Sequence, residues 1–294
     1  YIAENKLNWI RLSKSDKPRI YKMVRYGNIS KRLVKKKALD KTVLHDIKTI
    51  NLNLTNTCNL SCSFCPIGTD EYINDHDAMS IDTVKKFIER LREFYNITQT
   101  KVTVSLSGKG EATIHKKFRE IVTLLAEHKD ILRLQILTNG ALLYKYKDLI
   151  PLFDRIRYNN YLEDNNKNKA QLIEIINNSK NASITTIDNT KQWTEIKDFT
   201  SRVGMLTGGE TATIKYNNCH KLINKMMIEC DGSYLVCCDD WKQNKLFKTI
   251  YDRSFTNYLL SPEISKYRRH IRKGVREMAP CNTCTYSSKP KTKK

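Results

Sequence analysis

No run of eighteen or more consecutive apolar residues occurs in the 294-residue chain, so none of it reads as a membrane-spanning helix. It also lacks the basic start, apolar middle and small-residue cleavage site of a secretory signal. The expectation is a soluble, cytoplasmic protein without membrane contact. Acidic residues are in deficit: 31 Asp and Glu stand against 52 Lys and Arg, a formal net charge of +21. Charge of this sign speaks to partners rather than to fold, and suits phosphates, an acidic partner or an anionic substrate. The lysines are spread through every segment, which reads as solvated surface rather than a dedicated nucleic-acid element. There is no internal repeat beyond an alternation of strands and helices.

Cysteine is not scarce. Nine thiols in a chain of this character argue against a secreted disulfide framework and for metal or redox chemistry. At 40% apolar residues the chain has material for a sizeable core, enough for one large domain with a small satellite.

Residues 1–47 read as a basic N-terminal extension, with Lys31 to Lys37 its densest run. From Ile50 the pattern alternates: Ile50, Leu52 and Leu54 are apolar with asparagines between, as in a strand. Ser80 is placed to cap a helix whose Val84, Phe87, Ile88, Leu91 and Phe94 share one face. Strand Val102–Leu106, a helix over Phe118–Leu125 and strand Leu132–Ile136 follow, then a short helix predicted to stop before Pro151. Further on, Ile156 and Tyr158 suggest a strand and 159–169 a polar loop. Helix 170–177, strand 183–187 and helix 192–199 complete the count. Repeated βα units predict a parallel sheet, and five or six of them make an open partial barrel rather than a closed eightfold one. Ligands in such folds gather at the carboxyl ends of the strands. The expected architecture is α/β: a partial (β/α)5–6 barrel over 48–207, a small cysteine-rich α+β domain over 208–286, and a Lys-rich tail, 287–294. Within the second domain Asp231-Gly232 is a hairpin signal.

Cys58, Cys62 and Cys65 lie within eight residues at CxxxCxxC spacing, directly after the first strand. Three thiols fit half of a zinc site or a cubane iron–sulfur cluster with one iron left open. With aromatic Phe64 before the third cysteine, the motif resembles the signature of the radical S-adenosylmethionine (SAM) enzymes. One βα unit later, Gly108-Lys109-Gly110-Glu111-Ala112 resembles that family's GGEP-type motif. Lys109 interrupts the glycine pair, and Ala112 stands where proline is usual. The resemblance implies that the three cysteines hold a [4Fe–4S] cluster whose open iron chelates SAM. It also implies SAM contacts from Phe64, Gly108, Gly110 and Glu111, with Asn139 of Thr138-Asn139-Gly140 as a further one.

Cys219, Cys237, Cys281 and Cys284, separated by 18, 44 and 3 positions, resemble the ligand set of a twitch domain, the shortened form of the SPASM domain. That likeness implies an auxiliary [4Fe–4S] cluster held by all four, two clusters in total. Zinc also suits four thiolates. Cys230 and Cys238 are left as packing residues, Cys230 being the substitute for Cys219. No cysteine follows Cys284, so a second auxiliary cluster has no ligands. Arg202, in Ser201-Arg202-Val203-Gly204, resembles an element of radical SAM/twitch enzymes of the 2-deoxy-scyllo-inosamine dehydrogenase type. There an arginine reaches the substrate hydroxyl, a task of orientation rather than general base catalysis.

The implied function is an oxidoreductase that cleaves SAM to a 5′-deoxyadenosyl radical and oxidises a hydroxyl-bearing carbon of a sugar, cyclitol or similar polyol. The auxiliary cluster would take the electron, and reduced flavodoxin or ferredoxin would supply the first one. The alternative is a radical SAM maturase of a ribosomally made peptide. A basic zinc-bearing nucleic-acid-binding protein is the reading from a different class, and iron and sulfide analysis separates it.

Overall fold

The computed structural model describes residues 43–62, 64–69, 72, 77–160, 170–171, 174–175, 183–188, 202, 205, 219–242 and 248–286. Its centre is one seven-stranded sheet. The strands are β1 (Thr49–Leu52), β2 (Val102–Leu106), β3 (Leu132–Thr138), β4 (Arg155–Asn160), β5 (Ser183–Asp188), β6 (Lys225–Ile228) and β7 (Tyr234–Leu235). Their order is β5-β4-β3-β2-β1-β6-β7, and every pair is parallel except β6 with β7.

Parallel neighbours need crossovers, and two of these are clear helices. Helix α1 (Ile81–Thr98) starts where the Ser80 hydroxyl accepts from the Thr83 amide at 3.0 Å. That cap satisfies one of the free donors of the first turn. The helix ends at Gln99, whose φ of 51° is left-handed. Its buried stripe, Val84, Phe87, Ile88, Leu91 and Phe94, matches the periodicity in the sequence. Helix α2 (Phe118–Ala126) buries Phe118, Ile121, Val122 and Leu125. Both stripes share one core with Ile50, Leu52, Val104, Leu106, Leu134, Ile136 and Ile156 of the sheet.

Most of the alternate strand residues are polar. Thr49, Asn51, Ser105, Gln135, Arg155, Arg157 and Asn159 line the opposite, concave side of the sheet. Sheets buried on both faces normally read as continuous apolar runs. Here one face is a core and the other is a lining.

The C-terminal part is built onto the same sheet. Helix α3 (Lys221–Asn224) leads into β6, which pairs with β1 in the register Thr49–Lys225 to Leu52–Ile228. The Asp231-Gly232 turn follows, with Gly232 at φ 83°, and β7 returns antiparallel. Helix α4 (Phe255–Leu259) packs on α1, and α5 (Pro262–Arg272) packs on α3 and α4. Phe255 of α4 packs its ring 5.6 Å from Phe87 and 6.2 Å from Phe94.

Several boundaries differ from the sequence expectation. The segment after Gly140 is a 3-10 helix, Leu143–Leu152, kinked at Tyr146, and it includes Pro151. Proline late in a short 3-10 run costs no α-helical ladder bond, so it does not act as a stop. Asn159 and Asn160, expected in a loop, extend β4 and pair with Ile187 and Asp188. Of the predicted helix 170–177, residues 170, 171, 174 and 175 are described and helical. Most of the basic extension (1–42), helix 192–199, the boundary near residue 208 and the tail 287–294 lie outside the described residues. At the end of that extension, Leu44 and Ile47 are buried in the core.

Candidate active site and cysteine cavities

A cavity of about 410 Å³ opens on the concave side, at the carboxyl ends of the strands. Its wall contains Cys58, Cys62, Cys65, Phe64, Gly108, Gly110, Glu111, Asn139 and Arg202, every residue singled out from the sequence for SAM, its cluster or substrate. These residues come from loops after β1, β2 and β3 and from the segment before α3.

Backbone hydrogen bonds explain why the loops meet. The Gly110 amide donates to the Thr55 carbonyl at 3.1 Å, and Glu111 donates to that of Thr57 at 2.9 Å. The glycine motif thus lies directly against the chain leading into Cys58. A Cβ on Gly110 would sit 2.2 Å from the Thr57 carbonyl oxygen and 2.4 Å from that of Thr55. One on Gly108 would sit 2.0 Å from Asn53 Oδ1. Only glycine fits at either place.

Glu111 is 4% exposed and ties three loops together. Its Oε1 accepts from the Thr113 hydroxyl and the Thr138 hydroxyl, both at 2.7 Å, and from the Thr113 amide at 3.2 Å. Its Oε2 accepts from the Asn139 amide at 2.9 Å. Asn139 in turn donates from Nδ2 to Asn59 Oδ1 at 3.0 Å and lies 4.0 Å from the Cys58 sulfur. The carboxylate is therefore held rigidly in the cavity wall by neutral donors.

Lys109, the residue that interrupts the glycine pair, has a structural reason. Its ammonium lies 3.3 Å from Glu229 Oε1, with side-chain exposures of 2% and 5%. Asn53 completes the group, donating to Glu229 Oε2 at 2.9 Å and accepting from the Lys109 amide at 3.1 Å. Burial pushes the Glu229 carboxyl up against the opposing pull of Lys109. Replacing Lys109 with Met should cost about 3–5 kcal/mol, because it leaves a buried carboxylate without its cation. Chemical denaturation measures this, and the double variant Lys109→Met/Glu229→Gln should recover most of it. A loss no larger for the single than for the double variant would show that the pair is not coupled.

The cysteines form two groups on two cavities. Burial raises the Cys58 and Cys65 thiols, and burial with the nearby Cys65 and Cys58 pushes Cys62 up to about 11. Cys219, Cys237, Cys281 and Cys284 line a second, smaller cavity. Burial raises Cys237 and Cys284 and pushes Cys281 up to about 12. Thiolates crowded this way repel one another and need a cationic centre to stabilise them. Among the described residues, no three His, Cys, Asp or Glu side chains converge tightly enough for a single ion. Three thiols of the CxxxCxxC loop line the first cavity and four thiols the second, which matches the ligand counts of iron–sulfur clusters.

A thin wall separates the cavities, and sequence reasoning missed it. Lys221 and Asp239 line both, while Cys237 faces the second cavity and Cys238 the first. The two cysteines lie past the end of β7, in a turn closed by the Asp240 amide on the Cys237 carbonyl, and so diverge. Asp239 is bound by Lys221 and, at 3.0 Å, by Arg202 Nη1. Although burial opposes it, these two cations hold the Asp239 carboxyl below its usual range. Arg202 has φ 46°, a strained conformation for a non-glycine residue. Cys230 joins neither cavity; its sulfur is buried near Asn53 Nδ2 (3.5 Å) and Asn56 Oδ1 (3.7 Å).

The arrangement defines a class. The profile of the Radical SAM superfamily matches residues 52–211, and that of the SPASM iron-sulfur cluster-binding domain matches residues 219–285. The chain belongs to the radical SAM superfamily, and the cofactors of its two domains are [4Fe–4S] clusters and SAM. Among solved structures, the chain is similar to BtrN in complex with AdoMet and 2-DOIA, at 18% identity and a TM-score of 0.67, covering 81% of this chain and 92% of that one. It is similar to polyhistidine-tagged anSMEcpe with bound AdoMet at 11% identity and TM-score 0.52, over 75% and 79% of the two chains. SuiB from Streptococcus suis, bound to precursor peptide SuiA, gives 14% identity and TM-score 0.47, over 96% and 83%. At these identities the likeness is one of fold, an α/β partial barrel. No curated protein sequence matches the chain. Among the described residues, no helix is long and apolar enough to cross a membrane.

Proposed function

We propose that this radical SAM enzyme oxidises a hydroxyl-bearing carbon of a sugar, cyclitol or similar polyol. The observation that carries the reading is the row of neutral polar side chains on the concave face of the sheet. Asn51, Ser105 and Gln135 stand in register on β1, β2 and β3, and all three are buried. Gln135 donates to the Ser105 hydroxyl at 3.0 Å, and Ser105 and Ser107 share a further bond of 3.0 Å. Buried amides and hydroxyls on a cavity wall suit a ligand that donates and accepts at many points, as a polyol does.

Cys58, Cys62 and Cys65 would hold the SAM-cleaving cluster, and Cys219, Cys237, Cys281 and Cys284 the auxiliary one. When bound, these groups and SAM supply hydrogen-atom abstraction and a one-electron sink. The chain's own residues bind and orient. Glu111, held by four donors, presents its carboxylate to the SAM ammonium, and Gly108 and Gly110 let the backbone come close. Asn139 steadies the Cys58 loop. Leu60, Phe64, Leu137 and Trp241 give the cavity its apolar parts and exclude water. Arg202, buttressed by Asp239, orients and polarises the reacting hydroxyl. A low-potential flavodoxin or ferredoxin is the proposed electron donor.

The test is anaerobic incubation of reconstituted enzyme with SAM, reductant and separate panels of polyols and peptides. 5′-Deoxyadenosine should form together with a ketone when a polyol is present. Formation with peptides alone would reject the polyol and favour a peptide maturase. The variant Cys281→Ala/Cys284→Ala should still release 5′-deoxyadenosine but yield no ketone, with iron reduced by about half. Full ketone yield from that variant would remove the auxiliary cluster from the reaction.

A further inference from the structure

We infer that the substrate carries an oxyanion, a phosphate or carboxylate group, bound by Arg155, Arg157 and Lys225; this deepens the polyol reading and rests on it. The cavity is lined by six cationic side chains and two carboxylates, Glu111 and Asp239. Three of the cations are already engaged: Lys109 with Glu229, and Lys221 and Arg202 with Asp239. Arg155, Arg157 and Lys225 have no carboxylate partner among the described residues. Glu111 is not paired with them: its oxygens accept from the Thr113 and Thr138 hydroxyls and from backbone amides.

Their placement is ordered. Arg155 and Arg157 are two residues apart on β4 and so share a face, and Arg155 stands in register with Gln135. Lys225 opens β6 in register with Thr49, on the other side of the neutral row. The hydroxyl-binding row of β1 to β3 is therefore flanked by cations on both sides. Arg157 and Lys225 are half-buried, while Arg155 is exposed at the start of its strand. Uncompensated positive charge on a concave, partly dry wall raises the local concentration of anions. The guanidinium fork also matches a phosphate or carboxylate with two parallel bonds. The same field disfavours an aminocyclitol, whose ammonium would meet three unpaired cations.

Calorimetric titration of the reconstituted, SAM-saturated enzyme tests this, with myo-inositol, myo-inositol 1-phosphate and glucuronate as probes. At least one of the two anionic probes should bind about tenfold tighter or more than myo-inositol, with an advantage that shrinks as salt rises. A preference for the phosphate names a phosphate ester, and a preference for glucuronate names a carboxylate. Arg157→Gln and Lys225→Gln should each remove about tenfold of the advantage, and Arg157→Lys should keep part of it. Equal, salt-independent binding of all three probes would overturn the inference while leaving the polyol reading intact. Binding of an acidic peptide with no binding of any probe would instead overturn the polyol reading. A fall in SAM affinity in Arg157→Gln that matches the fall for the anionic probes would assign these cations to the SAM carboxylate and overturn the inference. If a variant does not fold, the neutral-against-anionic comparison in the wild type still decides.

Discussion

Replacing Cys62 with alanine is expected to abolish 5′-deoxyadenosine formation and to remove about half of the iron. Cys62 is the middle cysteine of a tightly folded loop. The Cys65 amide donates to the Cys62 carbonyl at 3.0 Å, and the Gly68 amide to that of Cys65 at 2.9 Å. A Cβ on Gly68 would come within 2.6 Å of the Cys62 carbonyl oxygen, so the loop folds tightly on itself. With two thiolates left, a cubane has two open irons and no fixed orientation. The Cys230 thiol is not placed to replace the lost ligand, being buried beside Asn53 and Asn56 and no part of the cavity wall. Iron and sulfide analysis with a single-turnover assay for 5′-deoxyadenosine checks the result. Wild-type SAM cleavage in Cys62→Ala would sink the assignment of this cavity.

Gly110→Ala is expected to lower SAM affinity by about a hundredfold or more, an effect transmitted through backbone alone. The new methyl group collides with two carbonyl oxygens, neither of which belongs to a flexible side chain. Relief requires the Thr55–Thr57 segment or the Gly108–Glu111 turn to move by about 1 Å, and a shift of that size at a reacting centre is costly. Moving the segment shifts Cys58, and moving the turn unseats Glu111 from Thr138 and Asn139. Overpacking of this kind also destabilises by about 1–3 kcal/mol. The checks are SAM titration by calorimetry and the thermal midpoint. Wild-type SAM affinity in Gly110→Ala would show that the turn is soft and that Glu111 is not positioned by it.

The strands and long helices were legible because each presents one face to a common core. Alternation at Ile50 and Leu52, the Ser80 cap and the stripe through Phe87 and Phe94 all follow from local periodicity. The cysteine spacing, the glycine motif and the Asp231-Gly232 turn were legible for the same reason, since each is a short local pattern. What escaped is set by contacts distant in sequence. Lys109 reads as an interruption until Glu229 is seen beside it, and nothing in either neighbourhood announces the other. Arg155 and Arg157 alternate with the strand residues Ile156 and Tyr158, and only the folded sheet puts both on a cavity wall. Lys221 and Asp239 are ordinary charges in sequence; only folding makes them a shared partition. Pro151 misled because the stop rule is built on α-helical hydrogen bonds, and the segment is 3-10.

The joining of β6 to β1 has a consequence for how the protein is made. The cysteine loop springs from β1, yet one edge of β1 is covered only by a strand near the other end of the chain. Asn53 and Glu229, bonded across that seam, are 176 residues apart. During synthesis, β1 emerges early and waits with an open edge until Lys225–Ile228 arrive. Closure of so long a loop is slow, and until it happens the Asn53–Lys109–Glu229 group beneath the glycine turn is incomplete. Thiols at the first cavity are thus made well before the strand that completes their surroundings.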